Sequence, residues 1–212
     1  MQVNQLRDGI FEIPIKHVRA FVLIDVPHGT VTLVDAGFED TADELVDTLE
    51  REFGDVDRLL LTHDGPDHYG GVSTVRQRFD PTVYAPADER ALLDALDDKP
   101  DETFGDGDVL KGNIEVVQVP GHTPCPSALL LRDHSALISG DVLDGADRRG
   151  LPEGYLLPPP ETYNHDHAAA ERNLSKLLEY EFEAVFVFHG SHVTTDPKQK
   201  LDAYLNFQKQ YR

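Results

Sequence analysis

The chain has 212 residues, a hydrophobic fraction of 40% and a mean hydropathy of −0.39, enough for one large domain or two small ones, with no apolar run near the length of a membrane span. Asp and Glu total 39 against 19 Lys and Arg, a formal net charge of −20 that disfavours nucleic acid and anionic membranes as partners. We read the excess as halophilic, an adaptation to a salt-rich cytoplasm in which molar salt screens self-repulsion to within about 3 Å; the lone Cys125 excludes an internal disulfide, and Met1 to Gln5 carries no secretory signal.

Residues 10–16 predict an edge strand, because Pro14 removes a ladder donor. Arg19 to Val26 is almost continuously apolar and suits a strand buried on both faces, turning at Pro27 to Thr30 into a hairpin partner over Val31 to Asp35. Thr41 and Glu44 have capping-box spacing, and the helix behind them places Leu45, Leu49 and Phe53 on one face before Gly54 stops it. Val56 to Thr62 predicts the next strand. A helix follows from Gly70 to about Asp80, a short strand at Thr82 to Tyr84, and a helix from Asp88 to Leu96 with Leu92, Leu93 and Leu96 inward.

Ile114 to Val119 predicts a strand ending at Pro120-Gly121-His122-Thr123-Pro124, and Ser127 to Leu131 with Ala136 to Ser139 a hairpin turning at Asp133-His134. Residues 142–163, with three consecutive prolines at 158–160, form a long segment of the kind that carries function or moves. Asn164 is placed to cap a helix carrying Ala170, Leu174, Leu177 and Leu178. Ala184 to Phe188 predicts a buried strand, and Asp196-Pro197 opens the last helix, with Leu201 and Leu205 on one face. Strands and helices alternate without a linker, so the expectation is one α/β domain over 1–212.

Candidate ligands recur in one context. His63, with Asp67 and His68 in the hexad His63-Asp64-Gly65-Pro66-Asp67-His68, follows an apolar run and adjoins Gly or Pro; so do His122, Asp141 and His189. Imidazole and carboxylate suit zinc or a similar divalent metal, and strand ends bring residues distant in sequence to one rigid place. Adjacent Asp67 and His68 suit a loop or helix start, since on a strand they would point to opposite faces.

Together with Val34-Asp35-Ala36-Gly37, Gly70-Gly71, Ser139-Gly140-Asp141 and Phe188-His189-Gly190, these stretches resemble the metallo-β-lactamase superfamily, nearer its short glyoxalase-II-like hydrolases than its antibiotic-degrading members. The resemblance implies an α/β four-layer αβ/βα sandwich with a metal site at one edge. It implies one or two zinc ions. The first site would use His63, His122 and a residue at 65; the second would use Asp67, His68 and His189; Asp141 would bridge them. It further implies catalysis by a metal-bound hydroxide that Asp67 orients.

The chain departs from the family pattern at one position. The family carries His at the hexad's third place and this chain has Gly65, which offers no donor. The expectation is therefore a stronger second site, with the first weak or empty. Pro126 stands where thioesterase-like relatives often carry His, which weakens the specifically glyoxalase-II-like assignment. Three functions follow for a cytoplasmic protein: a metal-dependent hydrolase of a small ester, thioester or lactone; a nuclease or phosphodiesterase of the same superfamily; and a metal-binding or regulatory protein with little turnover. Asp64 as a substitute ligand, Cys125 near the metals, His165 and His167 at a substrate, His192 behind His189, and Tyr155 and Tyr163 at a pocket mouth are each weighed against plain structural roles, which for Cys125 is that of a buried thiol.

Overall fold

The computed structural model describes residues 1–25 and 28–210, the side chains of 208–210 excepted, so the expected strand end at Val26 and turn residue Pro27 lie outside the described residues. The chain forms two compact units, Met1–Phe104 and Gly105–Arg212.

The first unit is built on a seven-stranded sheet in sequence order: β1 (Asn4–Arg7), β2 (Ile10–Ile15), β3 (Val18–Asp25), β4 (Thr30–Val34), β5 (Arg58–Leu60), β6 (Thr82–Pro86) and β7 (Glu102–Phe104). β1 to β4 pair antiparallel, and β4 to β7 pair parallel. The parallel steps are crossed by helices α1 (Ala42–Phe53), α2 (Pro66–Tyr69), α3 (Val72–Phe79) and α4 (Arg90–Ala95). Leu45, Val46 and Leu49 of α1 are fully buried, each burial removing roughly 1.5–3 kcal/mol worth of apolar side chain from water.

Two local expectations fail here. Residues 10–15 are not an edge strand, because β1 pairs with them. The β1 register covers only Ile10 to Glu12, so Pro14 lies beyond it and its missing N–H disturbs no bond on that side. Thr41 does precede α1, but its side chain makes no capping bond; its hydroxyl donates to the Phe38 carbonyl instead, at 3.1 Å.

The second unit has a five-stranded sheet in the order β14 (Ala184–Phe186), β11 (Ala136–Ile138), β10 (Ser127–Leu131), β9 (Ile114–Gln118), β8 (Val109–Leu110). β9 and β11 each run antiparallel to β10, and β14 runs parallel to β11, so β9, β11 and β14 all end at one edge of the sheet. Helices α5 (His167–Asn173) and α6 (Pro197–Gln210) belong to this unit. Its core includes Val117, Leu130, Leu137, Val185, Val187, Leu174, Leu201 and Leu205, which confirms the inward faces expected for the last helix.

Residues 142–163, expected as one long loop, contain short regular elements. β12 (Asp144–Gly145) pairs antiparallel with β13 (Leu156–Leu157), and short 3-10 turns occupy 146–149 and 161–163. Alternation in so short a hairpin is too brief to register as a periodic pattern. The N-cap of α5 is Asp166, whose side chain accepts from Ala169 N–H, and not Asn164. No helix among the described residues is long and apolar enough to cross a membrane.

Candidate metal centre

In the first unit the functional residues leave the carboxyl ends of neighbouring parallel strands. Asp35 follows β4, and Thr62 and His63 follow β5. Gly65 then caps α2 and Pro66 takes its first position, so Asp67 and His68 start a helix, as their adjacency requires. Position 71 must be glycine: a Cβ there would lie 2.3 Å from the Ala36 carbonyl oxygen, so only a bare backbone lets the Ala36 segment approach the start of α3 this closely.

Asp35 is fully buried and organises this unit's imidazoles. Its Oδ1 accepts from Thr62 N–H at 2.8 Å, and its Oδ2 accepts from the Thr62 hydroxyl at 2.7 Å. Nδ1 of His68 lies 2.7 Å from the same Oδ2 and donates to it. Since the single hydrogen of the Thr62 hydroxyl is donated to Asp35, its oxygen accepts from Nδ1 of His63 at 2.9 Å. Both neutral rings therefore carry hydrogen on Nδ1 and a lone pair on Nε2, the atom a metal takes. Burial pushes the Asp35 carboxyl above its ordinary range, and the His68 and Thr62 donors oppose that rise.

His63 and His68 are buried, with ring centroids 4.2 Å apart. Asp67 is a quarter exposed, and its Oδ2 lies 3.9 Å from Nε2 of His68. Asp35, His63 and His68 each present a donor atom within 4.8 Å of the others. Gly65 has φ −141° and ψ 118°, an extended conformation open to any residue. A Cβ there would meet His63 Nε2 at 2.9 Å, His68 Cδ2 at 3.0 Å and Asp67 Oδ1 at 3.3 Å. Position 65 thus faces the three expected ligands, and its lack of a side chain removes a donor from among them. Asp64 is half-buried; with burial as the larger cause, its charge raises the Tyr69 phenol above the ordinary range.

In the second unit His122 follows β9, Asp141 follows β11 and His189 follows β14, the three strands that end at one edge. Their side chains meet. Nε2 of His122 is 3.6 Å and Nε2 of His189 is 3.4 Å from Oδ2 of Asp141. Two ligands each about 2.1 Å from a tetrahedral Zn²⁺ stand about 3.4 Å apart. The spacing and the donor chemistry therefore fit a divalent metal in this half.

The backbone N–H of Gly145 donates to the His189 carbonyl at 2.9 Å, tying β12 to the ligand-bearing turn. Buried Asp144 has its carboxyl pushed up to about 7, first by burial and then by the Asp141 charge, while Arg148 bonds its Oδ2 at 2.6 Å and opposes the rise. Nδ1 of His192 accepts from Val187 N–H at 3.1 Å, and its ring packs on Phe186. His165 is exposed, and Cys125 is half-buried rather than buried.

The structure thus gathers His63, Asp67 and His68 in one unit and His122, Asp141 and His189 in the other. Sequence reasoning gave no role to Asp35, although it follows an apolar strand and precedes Ala-Gly in the same context as the ligands. It also gave no role to Thr62 or Asp144, whose partners are other side chains that the fold brings to them.

Two α/β units, each ending its strands in imidazole and carboxylate donors, define a metal-binding α/β protein. A family model for the metallo-β-lactamase superfamily matches residues 17–189, and the chain belongs to that superfamily. It is 28% identical over 201 residues to a hydroxyacylglutathione hydrolase of Bdellovibrio bacteriovorus, covering 88% of this chain and 75% of the relative. It is 24% identical over 220 residues to the probable metallo-hydrolase YflN of Bacillus subtilis, covering 86% and 83%. Among solved structures, a metallo-β-lactamase from Pontibacter korlensis superposes with a TM-score of 0.76 at 16% identity, covering 98% of each chain. The α/β fold is that of the metallo-β-lactamases.

Proposed function

We propose that the chain is a metal-dependent hydrolase of a small ester, thioester or lactone. The observation that carries this is the approach of His122 and His189 to one Asp141 oxygen at metal-ligand spacing. His63, Asp67 and His68 in the first unit and His122, Asp141 and His189 in the second would serve as metal ligands. Zinc suits this donor set. When bound, such a cation polarises a scissile carbonyl and lowers the pKa of water.

The remaining work falls to this chain's own groups. Asp35 and Thr62 keep the two rings in the ligating tautomer. Asp67, partly exposed, can accept a hydrogen bond from an attacking water and so aim it. The name of the Bdellovibrio relative supports a thioester among the candidate substrates.

Gly65 favours a second reading, a metal-binding protein with little turnover, because it removes one donor from the first site. Ester, thioester, lactone and phosphodiester substrates offered to zinc-loaded protein in molar KCl separate the readings. Carbonyl-ester turnover abolished by His68→Ala is the expected result. Hydrolysis of phosphodiesters alone would move the chain to the nuclease class. No turnover with zinc fully bound would leave the regulatory reading in its place.

A further inference from the structure

The proline run at 158–160 and the residues after it have no part in the mechanism above, yet they lead to a ligand. Pro158 and Pro159 are buried, and their rings fix φ, so the backbone carbonyls there are held rigidly. Asn164 Nδ2 lies 2.9 Å from the Pro159 carbonyl oxygen, which can only accept. That fixes the amide: the NH₂ faces Pro159 and the oxygen faces the other way. The second hydrogen of the NH₂ goes to Nδ1 of His167 at 2.7 Å. Oδ1 then stands 3.1 Å from Nδ1 of His122.

An oxygen acceptor at that distance requires hydrogen on Nδ1 of His122. The neutral ring must then carry its lone pair on Nε2, which faces Asp141. The same polarity runs outward. His167 accepts at Nδ1, so its hydrogen is on Nε2, 3.7 Å from Oε1 of Glu171, which also accepts from the Tyr204 hydroxyl at 3.3 Å. Backbone bonds hold the two segments in register. His165 N–H donates to the His122 carbonyl and Asp166 N–H to the Gly121 carbonyl, both at 2.9 Å.

We propose that Asn164, oriented by the Pro159 carbonyl, is a positioning residue that holds His122 in the Nδ1–H tautomer and so keeps its Nε2 ready for a metal ion. This rests on His122 being a ligand, as proposed above, but it does not depend on turnover. It gives the proline run a role, that of a rigid carbonyl setting the sense of every bond in the chain from Asn164 to His122. It also removes His167 from the candidates for substrate contact.

The test reads the tautomer and metal affinity rather than activity. Imidazole ¹⁵N shifts are recorded on metal-free protein at pH 8, with His122 assigned by its loss in His122→Gln, and zinc affinity is measured by chelator competition. Parent protein should show His122 as the Nδ1–H form. Asn164→Ala should shift it toward Nε2–H and weaken zinc binding about 10–100-fold, the usual effect of removing such a partner.

Asn164→Asp keeps the acceptor toward His122 and should hold the Nδ1–H tautomer, whereas Asn164→Leu keeps the side-chain volume without an acceptor and should behave like Asn164→Ala; a packing role alone would be rescued by the leucine. His167→Ala should leave the His122 tautomer unchanged, because Pro159 still orients the amide. An Nε2–H form in the parent overturns the proposal, as does an Asn164→Ala protein with unaltered tautomer and affinity. If the tautomer and affinity respond while no substrate is turned over, this inference stands and the hydrolase reading falls.

Discussion

Nδ1 of His68 lies 2.7 Å from Oδ2 of Asp35, a residue 33 positions earlier, and that same oxygen takes the Thr62 hydroxyl. One buried carboxylate therefore fixes two imidazoles, His68 directly and His63 through Thr62. Asp35→Asn would put an amide NH₂ against these donors. We expect zinc affinity to fall about 10–100-fold, with a stability loss of about 1–3 kcal/mol for each buried donor left unsatisfied. Chelator competition and urea unfolding check the two effects separately.

Gly65 is extended, so a side chain there strains no backbone, yet its Cβ would press on the far edges of the His63 and His68 rings. Gly65→Ala should cost about 1 kcal/mol as the rings shift, at the low end for overpacking, and bind no additional metal. Gly65→His adds a donor where His63, His68 and Asp67 converge. Metal content by elemental analysis, after purification in molar salt, should rise from about one zinc per chain to about two if one full tetrahedral set of donors holds each ion. Two tightly held ions in the parent would show that Gly65 costs the first site nothing.

Gly121 stands at φ +151°, and a Cβ there would lie 2.2 Å from the backbone N and Cα of Ala170. Gly121→Ala must push α5 away from the His122 turn and should cost about 3 kcal/mol, combining backbone strain with overpacking. Gly150, at φ +72° and with open space where a Cβ would stand, is the control. Gly150→Ala should cost only about 1 kcal/mol, the strain of the left-handed region. Equal losses in the two variants would contradict the close packing at Ala170.

Asp106 supplies a pH test remote from the candidate ligands. Burial alone would raise its carboxyl, but the Lys176 ammonium and the Gln118 N–H outweigh it and hold the group below its ordinary range. A depressed acid stabilises above its unfolded value, near pH 4, and that contribution disappears as pH falls through the folded value. Asp106 is half exposed, so Asp106→Asn should cost no more than about 1 kcal/mol at pH 7. The gap from the parent should narrow as pH falls below the unfolded value and close once the folded-state carboxyl is protonated as well. Thermal melts from pH 7 downward measure it; a gap that does not narrow as pH falls would assign the loss to packing.

Many of the candidate ligands were legible because they obey a local rule. His122, Asp141 and His189 each follow an apolar strand and border Gly, and His63 follows one two residues before Gly65, so position along the chain marked them. That rule also led to the family resemblance, and with it the α/β fold. Burial patterns of β3, β9, β10 and α6 were strong enough in period to be read directly. β1, β7, β8 and the β12–β13 hairpin are too short or too polar for a period to emerge, and β1 turned the expected edge strand into an interior one.

What sequence alone determined was the inventory of donors and the absence of one at Gly65, because a side chain's chemistry is set by its type and a missing imidazole cannot be supplied by folding. Only the tertiary structure decided which nitrogen each imidazole offers. Asp35 with His68 spans 33 residues, and His122 with Asn164 spans 42. A tautomer is set by the partner of the opposite ring nitrogen, and long-range packing, which brings Asp35, Thr62 and Asn164 to these rings, leaves no periodic signal in the chain.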